Sequence, residues 1–112
     1  MAMREVRLAG GYADVLDTEL GDVLGRDLTG ATVQAMLWPE GDLYPTAGDA
    51  GWQTPTAELG AGGGTVAMAV SGAVAGHFHW WLKLTVSGLP APVVLRVRDP
   101  DDPDLPWHIW VH

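Results

Sequence analysis

The chain has 112 residues, 47% of them hydrophobic and 18% charged, with 15 Gly and 8 Pro. That composition fits one globular domain with little room for long helices. Six Lys and Arg stand against 14 Asp and Glu, a formal charge of −8, which argues against both nucleic acid and an anionic membrane surface as partner. Cysteine is absent, so disulfides, thiolate zinc sites and thiol nucleophiles are excluded. No apolar run reaches the ~18 residues of a membrane helix. Met1 to Gly11 holds no apolar stretch of signal-peptide length, so a protein that is not secreted is expected.

Residues 1–12 read as a first strand over Met3 to Leu8 or as an N-terminal arm, and residues 13–112 as a single domain. Val15 to Leu20 is short and weakly patterned. Leu24 to Gly30 is a turn leading into a strand, Ala31 to Trp38. In that strand Val33, Ala35 and Leu37 share one face, and Thr32, Gln34, Met36 and Trp38 the other. Pro39 to Gly51, rich in Pro, Gly and Asp, is loop. Trp52 to Leu59 is a short strand that Pro55 confines to an edge. Gly60 to Gly64 is a turn, and Thr65 to Ser71 alternates again. His77 to Val86 carries the clearest signal. Phe78, Trp80, Leu82, Leu84 and Val86 fall on one face, and His77, His79, Trp81, Lys83 and Thr85 on the other, the period of a half-buried strand. Val93 to Arg98 and Trp107 to His112 alternate likewise, separated by the loop Asp99 to Pro106. About seven strands with turns between them and no helix predict an all-β fold, an antiparallel β-sandwich.

The residues that bear on chemistry are few. His77 and His79 share a strand face, as two metal ligands can. His108 and His112 share another but stand about 13 Å apart at ~3.3 Å per residue, too far to chelate one ion together. A three-histidine zinc site would need the last strand to pair beside His77 and His79. No carboxylate lies between them on those strands, so they read as polar residues on solvated faces and no metal is assigned. Asp99, Asp101, Asp102 and Asp104 are acidic enough to attract calcium. Their spacing misses the known calcium-loop pattern, however, and Pro100, Pro103 and Pro106 stiffen the segment into a solvated turn guarding a sheet edge. No cofactor is expected.

Of six tryptophans, Trp80 and Trp107 follow the apolar sets into the core. Trp38, Trp81 and Trp110 fall on the opposite faces, where exposed aromatics mark an interface. Contact with protein is favoured over sugar, because the chain has no Asn and only Gln34 and Gln53 to bond hydroxyls beside the rings. An enzyme is not expected. Ser71 and Ser87 precede Gly at strand ends rather than sitting in a nucleophile elbow. Gly10–Gly11 and Gly62–Gly64 lead into no helix and form no phosphate loop.

Gly25 to Trp38, GRDLTGATVQAMLW, resembles the strand-entry signature of Ig-like virion proteins of tailed bacteriophages, of which the N-terminal domain of the baseplate upper-protein family is the best-known carrier. His77 to Val97 is similar to a second pattern of those domains. Phe78 stands at its aromatic position, Trp81 at its tryptophan and Pro92–Val93 at its strand restart. The resemblance implies an Ig-like sandwich and a non-enzymatic structural role in the virion, assembled in the bacterial host cytoplasm. Such a protein would be present in multiple copies and contact other capsid or tail subunits. That family continues into further modules where this sequence ends at His112, which implies a stand-alone capsid decoration, minor capsid or tail accessory subunit. The N-terminal arm would lie across a neighbour. The family carries no catalytic residues. The alternative is a carbohydrate-binding β-sandwich module, and weak glycan binding is compatible with either reading.

Overall fold

The computed structural model describes residues 3–6, 14–20, 27–70, 75–102 and 104–112. They contain eight strands: β1 (Met3–Val6), β2 (Asp14–Leu20), β3 (Thr32–Pro39), β4 (Thr56–Gly60), β5 (Gly63–Val70), β6 (Gly76–Thr85), β7 (Val93–Arg96) and β8 (His108–Val111). No helix occurs among the described residues. One sheet has the order β1–β8–β6–β3 with β7 also beside β6, and the other has the order β2–β5–β4. The two pack as a sandwich, as the alternation predicts.

One strand extends the expected count of about seven. Met3–Val6 pairs with β8, so this part of residues 1–12 is a strand of the larger sheet rather than a free arm; its pairing is parallel while all others are antiparallel. The remainder of residues 1–12 lies outside the described residues. β7 and β8 are the two strands expected on either side of the acidic loop, and both pair with β6. Along β6, Trp81 faces Arg96 and His79 faces His108. Two steps on β6 therefore match twelve on its partner, so ten residues loop out. The Trp107 amide closes the base of that loop on the Val97 carbonyl at 3.0 Å.

The core follows the period of two. β6 sends Trp80, Leu82 and Leu84 inward, all fully buried, and β3 sends Val33 and Ala35. The smaller sheet answers with Leu16, Leu20, Val66, Met68 and Val70, and all of these belong to one cluster. Each such side chain contributes roughly 1.5–3 kcal/mol of burial free energy.

A turn holds the sheets in relation. The Asp27 carboxylate accepts bonds from the Thr29 amide at 2.8 Å and the Thr29 hydroxyl at 2.6 Å, and Gly30 supplies a φ of 77°. This is the turn chemistry expected of Asp-Leu-Thr-Gly. Leu28 between them is 1% exposed, and its amide donates to the Gly60 carbonyl at 3.0 Å, joining the entry to β3 to the end of β4. Ala61 and Gly62 then link β4 to β5, with Gly60 opposite Gly63.

Candidate functional site

The alternation that fills the core leaves a second set of side chains on the outer face of the larger sheet. Strand pairing arranges them in rows. Trp38 lies opposite His79, and His79 opposite His108. His77 lies opposite Trp110, and Trp81 lies between Met36 and Arg96. The outer positions of β3 and β6 thus place aromatic rings, imidazoles and cations side by side.

Residues 40–54 cross this face as a strap. Their Pro and Gly content denies them regular structure, and side chains of the sheet satisfy their carbonyls instead. The Trp38 indole N–H donates to the Leu43 carbonyl. Lys83 Nζ donates to the Ala47 carbonyl at 3.0 Å. Within the strap, the Trp52 indole N–H donates to the Thr46 carbonyl at 3.0 Å, and Asp49 accepts from the Thr46 amide at 2.6 Å. The strap then docks on the free edge of β3, where Ala35 and Gln53 exchange backbone bonds of 2.8 and 2.9 Å. Tyr44 packs its ring 5.3 Å from that of Trp81, and the Arg96 guanidinium stands 5.6 Å from both rings.

This cover corrects one sequence expectation. Trp81 is on the outer face as predicted but only 7% exposed, and its neighbour Met36 is 3% exposed. It is a buried support for the strap and not a surface anchor. Trp38 and Trp110 are half-buried. The residues that do project are Leu43 at 90% and Tyr44 at 71% exposure, in a segment whose sequence predicts only a loop.

Beside the strap the histidines converge. The last strand does pair beside His77 and His79, the condition set above for a shared site. The carboxylate comes from Glu40, at the start of the strap. Glu40 Oε1 lies 2.9 Å from His79 Nε2 and 3.0 Å from His108 Nδ1. His108 Nε2 in turn lies 2.8 Å from His77 Nδ1. His77 stacks parallel to Trp110 at 5.8 Å, and Trp110 stacks on His112 at 4.2 Å. Partial burial pushes the His79 pKa down, and the repulsion of Arg96 and His108 adds to this; the charge of Glu40 opposes the shift without reversing it. Glu40 was legible in principle. It continues the outward alternation of Gln34, Met36 and Trp38 by one more step, and its amide donates to the His77 carbonyl at 3.1 Å.

The acidic loop has a different character. Asp99 is 2% exposed, and its Oδ1 accepts from the Asp101 amide at 2.8 Å. Asp102 Oδ1 accepts from the Asp104 amide at 3.1 Å. These carboxylates fold their own loop, and Asp99 is buried where a solvated turn was expected. Among the described residues the group of ligand atoms close enough to share an ion is Glu40, His77 and His108, and it includes none of the four aspartates.

Comparison of the chain with protein-family models, with curated proteins and with solved structures finds no match.

Proposed function

We propose that the chain is a non-enzymatic structural protein of a tailed-bacteriophage particle, a capsid decoration, minor capsid or tail accessory subunit that works by protein–protein contact. The observation that carries this reading is the strap. It holds Leu43 and Tyr44 at 90% and 71% exposure while its backbone is bonded to Trp38 and Lys83 of the sheet beneath. Docking of an ordered loop forfeits little conformational entropy. Large side chains held in water by an ordered loop are therefore a preformed contact. The phage assignment rests on the resemblance of Gly25–Trp38 and His77–Val97 stated above. The contact residues become Leu43 and Tyr44, with Trp38 bonded to the Leu43 carbonyl, while Trp110 stands apart on β8 against His77.

The test is a photo-crosslinking residue at position 43 in purified particles, read by mass spectrometry. Crosslinks to a capsid or tail subunit in many copies are expected. Leu43→Ser with Tyr44→Ser should reduce incorporation at least about tenfold, the equivalent of one interface hot spot. Absence of the protein from particles overturns the reading. Binding on a glycan array that depends on Tyr44 would replace it with the carbohydrate-binding alternative.

A further inference from the structure

We propose that Glu40, His77 and His108 form a binding site for a divalent transition metal of the zinc class, with His79 as the residue that positions Glu40. This proposal does not depend on the role of the chain in a particle.

The donor set selects the ion. Two imidazoles and one carboxylate suit zinc and its neighbours, whereas calcium and magnesium require oxygen. The donor atoms of the three residues lie within 4.8 Å of one another. Nitrogen ligands at ~2.0–2.1 Å from a tetrahedral zinc stand about 3.3 Å apart. As an ion enters, the third donor, on Glu40, closes in further from within 4.8 Å, while His77 Nδ1 and His108 Nε2, now at 2.8 Å, part by a few tenths of an ångström. The same contact shows what is displaced. One proton bridges these two nitrogens, and the metal takes its place, so binding releases or relocates that proton.

The supporting shell is already built. When His108 Nδ1–H donates to Glu40, Nε2 keeps its lone pair facing His77. That bond sets the tautomer that ligation needs before the ion arrives; to ligate as well, Glu40 leaves His108 Nδ1 and turns its carboxylate to the ion while it keeps His79. His79 Nε2 holds the same carboxylate oxygen at 2.9 Å from the other side. The parallel ring of Trp110 fixes the plane of His77. His77 and His108 lie on paired strands, and Glu40 begins the strap. A bound ion would thus staple the strap to β6 and β8.

The experiment uses the full chain, stripped with chelator and dialysed. It is titrated with zinc chloride by calorimetry and with cobalt chloride by visible absorption. One ion per chain is expected, with a cobalt spectrum of low-symmetry nitrogen and oxygen coordination and a raised melting temperature. His108→Ala should weaken zinc by at least about 100-fold. His79→Ala should weaken it by about 10- to 100-fold, as loss of a supporting partner does, while keeping the cobalt spectrum. Glu40→Gln, which preserves shape, serves if an alanine variant fails to fold and should also weaken zinc. Asp101→Asn with Asp104→Asn should leave binding unchanged. No stoichiometric binding overturns the proposal. So does binding that survives His108→Ala and Glu40→Gln, or that is lost with the acidic-loop aspartates.

Discussion

The two outer faces of the sandwich differ sharply in what they present. On the smaller sheet the outward positions are Val15, Asp17 and Glu19 of β2, Thr56 and Glu58 of β4, and Thr65, Ala67 and Ala69 of β5, all exposed but the half-buried Ala67. They are short or acidic. On the larger sheet the corresponding positions carry Met36, Trp81, Lys83 and Arg96, and residues 40–54 fold across them. The contrast shows that period two specifies which side of a strand points away from the core but not whether that side is wet. Rings as large as Trp81 on a sheet face need cover, and here the chain supplies its own. Carboxylates on the smaller sheet instead oppose pairing with other chains through charge.

The largest expected effect lies on the smaller sheet but in its backbone. Gly64 has φ 149°, and a Cβ there would fall 1.9 Å from the Glu58 carbonyl oxygen. Gly64→Ala should cost about 3 kcal/mol or more, since backbone and not a side chain must yield, as measured by urea unfolding. The outer faces themselves are compared by Trp81→Ala and Val15→Ser. The first removes a 7% exposed ring from under Tyr44 and should cost roughly 3 kcal/mol. The second changes a side chain that is 53% exposed and should stay within about 0.5 kcal/mol. Equal losses for the two would remove the distinction between a covered and a bare face.

The same distinction explains what was readable in the sequence. The alternation in His77–Val86 placed every residue of β6 on its proper face, and Asp27–Gly30 declared its turn through local bonding. Both are short-range properties. Burial of Trp81 depends on a loop whose path is set by the Lys83 ammonium and the Trp38 indole reaching its carbonyls, which no local pattern encodes. The histidine cluster was half legible. Its three strand members stand out in the alternation, and they meet because β8 pairs beside β6. Glu40 does not stand out, because it lies after Pro39, past the end of the strand that the sequence predicts. Met3–Val6 was ambiguous because its pairing with β8 is parallel and remote in sequence.

A smaller effect probes the strap from within. Trp52→Phe keeps the ring beside Lys83, 5.2 Å from its centroid, but loses the N–H bonded to the Thr46 carbonyl. The expected cost is about 1 kcal/mol. It should appear mainly as faster amide exchange in residues 44–50, with β2 and β5 unchanged. Uniform acceleration throughout the domain would mean that the strap unfolds only with the core.

The smallest effect concerns the turn that feeds both sheets. Asp27 is fully exposed, and the two bonds it accepts from Thr29 hold its pKa below the usual 3.8. The unfolded chain therefore takes up this proton first as pH falls. The stability Asp27 contributes is complete above 3.8 and is lost as pH drops through the lowered value of the folded state. Asp27→Asn removes the charge, and with it this dependence. The gap between wild type and variant in urea midpoint should hold from about pH 7 down to about pH 5 and narrow below about pH 4. A gap that persists unchanged into acid would show that the carboxylate charge adds nothing, and no gap at any pH would leave the turn's contribution to Gly30 and the burial of Leu28.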